Sequence, residues 1–263
     1  MQHRKRNKKS LSLHFQSLLM HTLSAARCLV LLTIIVGCFG STFVLGEISK
    51  IPSSGIVFVG EEGIDISACG IADGTQIAWW APGSSRSGEP TLTETVSNAH
   101  SYYIMPTTFD NAIGRWYTYP DQNHAFTVTQ PSLILQVWDT VSDFDATNKW
   151  FPKGHTAAFH IISNLAPMGV RGSGAPVTIK IETPSGAELT AVNGFSLIDI
   201  PITQQIYFSD GVWNTGWYES GTYTLWVEIQ ANSLSDNNPR AVSEKINITL
   251  QGTNPLVNNN LKG

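Results

Sequence analysis

The sequence predicts an all-β protein: two immunoglobulin-like antiparallel β-sandwich modules preceded by an N-terminal hydrophobic helix. Three observations carry this. After residue 46 no stretch shows the 3.6-residue apolar period of an amphipathic helix. Short runs of period two recur instead, rich in Val, Ile, Thr, Tyr and Trp. Gly, Pro, Ser, Asn or Asp separate them, the residues that turns need for positive φ, fixed φ or local side-chain hydrogen bonds.

The front of the chain differs from the rest. Residues 28–46, CLVLLTIIVGCFGSTFVLG, carry no charge and follow Arg4, Lys5, Arg6, Lys8, Lys9 and Arg27. A positive stretch, an apolar stretch and small residues make a secretory signal, and Val44-Leu45-Gly46 before Glu47 fits a cleavage site. The same apolar run is long enough to cross a bilayer, so a retained anchor is the second reading, with the N-terminus inside and the rest exported. Either way residues 1–46 deliver the body outside the cell or hold it against a membrane through 28–46.

The strands follow in order. GIVFVG (55–60), GIDIS (63–67), TQIAWWA (75–81), HSYYIM (100–105), GRWYTY (114–119) and HAFTVTQ (124–130) form a first module over 47–130. Pro131 marks a joint. SLILQVWD (132–139), TAAFHIIS (156–163), APVTIKIE (175–182), FSLIDIPI (195–202), TYTLWVEIQ (222–230) and SEKINITLQ (243–251) form a second over 131–252. In the second, one row of each strand is apolar: Val177, Ile179 and Ile181, or Ile246, Ile248 and Leu250. Such strands cover a core on one face only, as in antiparallel sheets. Tyr223, just after the turn ESG, resembles the tyrosine of a late immunoglobulin strand. The polar stretch 253–263 is expected to be a loose tail.

Composition narrows the function. Charged residues are 14% of the 263, well below the usual quarter. All 20 acidic residues lie after residue 46, against ten basic ones, a net of −10 for the body. Nucleic acid is therefore excluded as an expected partner. Cys28 and Cys38 belong to the front segment, so a cleaved chain retains Cys69 alone and has no intrachain disulfide.

No catalytic signature is present: no GxSxG, HExxH, phosphate-cradling loop or CxxC pair. The four histidines of the body, His100, His124, His155 and His160, read as structural or surface residues. One loop, DTVSDFDATN, gathers Asp139, Asp143, Asp145 and Asn148, oxygen donors of the kind that hold structural calcium. Its spacing misses the EF-hand pattern, because Thr147 and Asn148 stand where a third ligand and a glycine belong, and a solvated acidic loop is the competing reading. No other cofactor is expected. Asn247-Ile248-Thr249 is the single N-x-S/T sequon, with Asn247 in the outward row, as a glycan requires.

Eight tryptophans are many for this length. Most belong in cores, but Trp213, Trp217, Tyr218 and Trp226 fall on a turn or in an outward row. They are expected either to be covered by a neighbouring loop or module, or to form contacts between protomers, where aromatics concentrate; stacking on sugars is a third reading.

The phrases VFVGEEGIDIS, TQIAWWAPGSS, GRWYTY, AFTVTQPSLILQVWD, GSGAPVTIKIETPSGAELT and SGTYTLWVEI together resemble a domain of unknown function from cell-surface proteins of methanogenic archaea. The resemblance runs over about residues 50–251. It implies an exported, β-rich envelope protein similar to S-layer or sheath components. Relatives often continue into a C-terminal hydrophobic anchor; this sequence ends at Gly263 without one, so tethering is expected from the front segment or from lateral contacts. The expected function is thus a structural tile of an archaeal cell envelope that assembles with copies of itself into an extracellular lattice. The alternative is an extracellular glycan- or protein-binding module, and an exported hydrolase ranks third.

Overall fold

A computed structural model describes residues 48–252. Both the N-terminal hydrophobic segment and the tail 253–263 lie outside the described residues, and with them the expected N-terminal helix. The described chain is mostly β, arranged in several sheets; helix is confined to short turns such as Pro106–Phe109, Ala166–Gly169 and Leu234–Asn237. No described helix is long and apolar enough to cross a membrane.

The first half holds β1 (Ile56–Phe58), β2 (Gln76–Trp79), β3 (Leu92–Thr95), β4 (Gly114–Tyr119) and β5 (His124–Thr129), which form one sheet in the order β1-β5-β4-β2-β3. Trp116 and Thr118 of β4 and Ala125, Phe126 and Val128 of β5 point into a buried cluster with Val57, Ile77, Phe109, Ile64 and Ile104. The stretches around Ile64 and Tyr102 alternate like strands but make only an isolated bridge to each other. Their apolar residues still close the core, so their period two comes from burial rather than from a ladder.

The second half holds β6 (Leu133–Asp139), β7 (Phe144–Asp145), β8 (Trp150–Pro152), β9 (Thr156–Ser163), β10 (Ala175–Glu182), β11 (Glu188–Leu189), β12 (Ala191–Val192), β13 (Phe195–Ser196), β14 (Ile200–Ile202), β15 (Ile206–Phe208), β16 (Trp213–Asn214), β17 (Gly221–Ile229) and β18 (Ile246–Gln251). Two sheets dominate, β11-β10-β17-β18-β8 and β15-β9-β6-β7. Leu135, Val137, Phe159 and Ile161 of one sheet share a buried cluster with Ile179, Leu225, Val227 and Ile248 of the other, giving a sandwich-like pair of layers. Each such aliphatic side chain contributes about 1.5–3 kcal/mol by leaving water.

Two edge pairings depart from the expected wholly antiparallel sheets. β1 runs parallel to β5, and β18 parallel to β8. A parallel partner needs a long crossover rather than a hairpin, and in both cases much intervening chain supplies it.

The two halves are stitched at β1. Val57 and Val59 point into the first cluster and Phe58, on the opposite face, into the second. Beside β1 lies a buried ion pair: Arg171 Nη1 donates to Glu61 Oε1 at 2.6 Å and Nη2 to Glu61 Oε2 at 3.2 Å. Glu61 also accepts from Phe58 N at 2.7 Å and Asn232 Nδ2 at 2.9 Å, and Arg171 reaches the carbonyl of Ile56. Asn238 Nδ2 donates to the Val59 carbonyl at 2.7 Å. Gly60 permits this approach: at φ +101° it leaves room where a Cβ would stand 2.9 Å from Asn238 Cβ.

Candidate functional site

Two surface features stand out. The first is a cleft of about 330 Å³ on the first sheet. Its walls are built from β2, β4 and the turn-rich connection after β2. β4 alternates, so Trp116 goes inward while Arg115 and Tyr117 stand on the outer face; a register shift at Trp116/Tyr117 re-aims the ring. Trp79 ends the neighbouring strand β2, and Trp80 follows it. Their indole N–H groups are already committed, Trp79 to the Ile113 carbonyl and Trp80 to the Gly88 carbonyl, each at 3.1 Å. Trp80 meets Tyr117 edge to face with centroids 5.9 Å apart, and the Arg86 guanidinium lies 4.7 Å from the Tyr117 ring centroid. No Asp or Glu lines the cleft.

The second feature is the outer face of β15-β9-β6. Register places Ile134, Ile162 and Ile206 side by side, then Gln136, His160 and Phe208. Ile206 is 55% exposed, Phe208 46% and Ile134 50%. None of the six is Lys, Arg, Asp or Glu. β15 is also an edge strand. Ser163 N donates to the Gln205 carbonyl and Ser209 N to the Phe159 carbonyl, so the alternate residues Ile206 and Phe208 turn their backbone groups away from the sheet.

The residues singled out from sequence fall as follows. Asp139 is fully buried; its Oδ1 accepts from Val141 N at 2.9 Å and its Oδ2 pairs with His155 Nδ1 at 2.8 Å. Asp143 accepts from Trp138 Nε1 at 3.1 Å, Asp145 from Thr147 N at 2.9 Å, and Asn148 from Asn247 N at 2.8 Å. At least one oxygen of each thus accepts from an N–H of the protein, and among the described residues no group of three acidic, His or Cys side chains converges as a metal centre requires. Ser142 Oγ approaches the same His155 Nδ1 that Asp139 occupies, at 3.4 Å, so these three do not form a nucleophile–base–acid relay, which uses both ring nitrogens.

Asn247 is exposed on β18, in the outward row, with its Oδ1 accepting from Thr224 Oγ1 at 3.0 Å. Trp213 corrects the sequence expectation. It is 0% exposed, stacked on Phe159 and edge-on to Tyr218 and Tyr223, because β16 pairs with β9 and turns the ring into the core. Tyr218 is half-buried against it, its hydroxyl accepting from Asn193 N at 3.3 Å. Trp226 is half-buried beneath Lys245, whose Nζ lies 4.1 Å from the ring centroid, and its N–H donates to Glu228 at 2.7 Å, so charged stems from its own sheet pack over it. Trp217, 87% exposed, is the one of the four that presents most of its ring to solvent.

Cys69 is buried near the Ile51 and Pro52 carbonyls, and burial pushes its thiol up to about 11, the behaviour of a small core side chain rather than a nucleophile. The arginines of the cleft were missed from sequence. Their signal was available: Arg86 and Arg115 sit beside the aromatic phrases AWW and RWY in a body with few arginines.

The described residues form a mostly β, sandwich-like arrangement of several sheets that carries an aromatic cleft and an uncharged sheet face. Residues 53–236, more than half of the chain, match the family described as Domain of unknown function (DUF3821), and the chain belongs to that family. No curated protein matches the sequence.

Proposed function

We propose that this protein is an exported structural module of a cell envelope, of the S-layer kind, which assembles with copies of itself through the outer face of β15-β9-β6. The observation that carries the reading is the uncharged apolar row Ile134–Ile162–Ile206 ending at an open strand edge. Natural edge strands are usually blunted by charge, Pro or a bulge; β15 has none of these. In a body of net charge −10, an uncharged face is the place where two copies approach with least repulsion. A second copy turned by a two-fold axis would set β15 against β15 and continue the sheet across the contact. Trp217, off the opposite end of β9, supplies a separate contact, and an array needs more than one.

The hydrophobic segment at 28–46 supports export or anchoring, and the exposed Asn247 sequon suits an extracellular glycoprotein. An immunoglobulin-like reading of the second half is supported by Tyr223, whose buried ring sends its hydroxyl back to the Glu219 carbonyl at 2.9 Å, four residues upstream.

Sedimentation velocity tests the assembly. The wild-type protein is expected to shift to larger species as concentration rises. Ile206→Lys with Phe208→Lys, both exposed and outside the core, is expected to remain monomeric over the same range with an unchanged melting temperature. A wild type that stays monomeric, or a double variant that associates equally, contradicts the reading.

A further inference from the structure

The geometry points to the cleft between β2 and β4 as a binding site for an acidic saccharide, one pyranose ring stacking on the aromatic wall and its carboxylate held by Arg86 and Arg115. This site is independent of the assembly face, which belongs to the other half of the chain.

The wall is preorganised. Because the N–H groups of Trp79 and Trp80 are bonded to backbone carbonyls, both rings are locked in place; Trp80 is buried behind the wall, and the half-buried Trp79 offers a ligand its π surface rather than a polar edge. A π face is electron-rich and attracts positively polarised hydrogens, which the C–H side of a pyranose presents. The cations complete the match. Neither Arg86 nor Arg115 has a carboxylate partner among the described residues, although the body carries twice as many acids as bases. Arg86 lies over the Tyr117 ring, 4.7 Å from its centroid, so it covers that face and stands beside Trp79 in the cleft lining. A guanidinium takes a carboxylate through two parallel hydrogen bonds, which fixes orientation as well as charge. The volume of about 330 Å³ suits one or two sugar rings rather than a long polymer segment buried whole. A neutral sugar would leave both arginines without work, and an apolar ligand would bury them unpaired. The acidic peptide is the rival, since it has the charge; it lacks a flat C–H face for the wall.

Titration of the full chain with trigalacturonate, followed by tryptophan fluorescence, tests the assignment, with neutral β-1,4-galactotriose and a hexapeptide of alternating Glu and Asp as comparators. Saturable binding of trigalacturonate is expected, at least about tenfold tighter than either comparator. Arg86→Ala and Arg115→Ala are each expected to weaken it by about tenfold, as loss of a charge-assisted pair does. Arg115→Glu should abolish it. Both side chains are exposed, and the melting temperature is expected to hold. Absence of saturation into the millimolar range, equal binding of the neutral trisaccharide, tighter binding of the peptide, or variants that bind like the wild type each overturns the assignment.

Discussion

Replacing Arg171 with methionine is expected to lower the unfolding free energy by about 3–5 kcal/mol. Glu61 is 0% exposed, and without the guanidinium its carboxylate stays buried with two neutral donors, Phe58 N and Asn232 Nδ2. Removing one partner of a buried pair leaves an uncompensated charge, which costs more than the pair itself is worth. The double variant Glu61→Leu with Arg171→Met is therefore expected to recover part of the loss, because both charges leave together. The Ile56 carbonyl and Phe58 N would lose partners in that variant, which limits the recovery. Urea unfolding of the three proteins measures this. A single variant within about 1 kcal/mol of wild type would show that the seam beside β1 does not depend on the ion pair.

The second large effect falls on Trp213. Trp213→Ala is expected to cost about 3–5 kcal/mol, because it empties an indole-sized volume between Phe159, Tyr218 and Tyr223. Trp213→Phe is expected to cost less, about 1–2 kcal/mol. The indole N–H is buried with no acceptor among the described residues, so the phenyl ring forfeits area but no hydrogen bond. Chemical denaturation of both variants checks the order. An alanine variant of normal stability that failed only in assembly would return Trp213 to the protein surface.

Trp213 also shows how far a period-two pattern reaches. Long strands were legible because burial and alternation coincide over many residues: the apolar rows Val177, Ile179 and Ile181 of β10 and Ile246, Ile248 and Leu250 of β18 fall where the sequence places them. Most strands of two or three residues were not. β7, β8, β15 and β16 are too short to show a period, and β16 carries Trp213. The run 195–202 looks continuous but splits into β13 and β14, with Asp199 at φ +56° between them. The stretches 63–67 and 100–105 alternate because both cover a core, yet they pair by one bridge only. Local pattern reports which face is buried; it does not report which backbone lies alongside.

The same limit governed the surface. Acidic residues close in sequence, Asp139, Asp143 and Asp145, are dispersed by their own turns, each accepting from a nearby N–H. Arg86 and Arg115, 29 positions apart, line one cleft because the connection carrying Arg86 leaves β2, which pairs with β4. The apolar row of Ile134, Ile162 and Ile206 likewise needs three strands in register before it exists at all.

Amide hydrogen exchange at Ile206 and Phe208 tests self-association through β15 most directly. Their backbone N–H groups point away from β9 and exchange freely in a lone protomer. The account predicts that both slow markedly as protein concentration rises, while the exposed loop 82–88 does not change. Exchange at these two amides that is fast and independent of concentration, in a sample whose particles have grown, would place the contact elsewhere and contradict it.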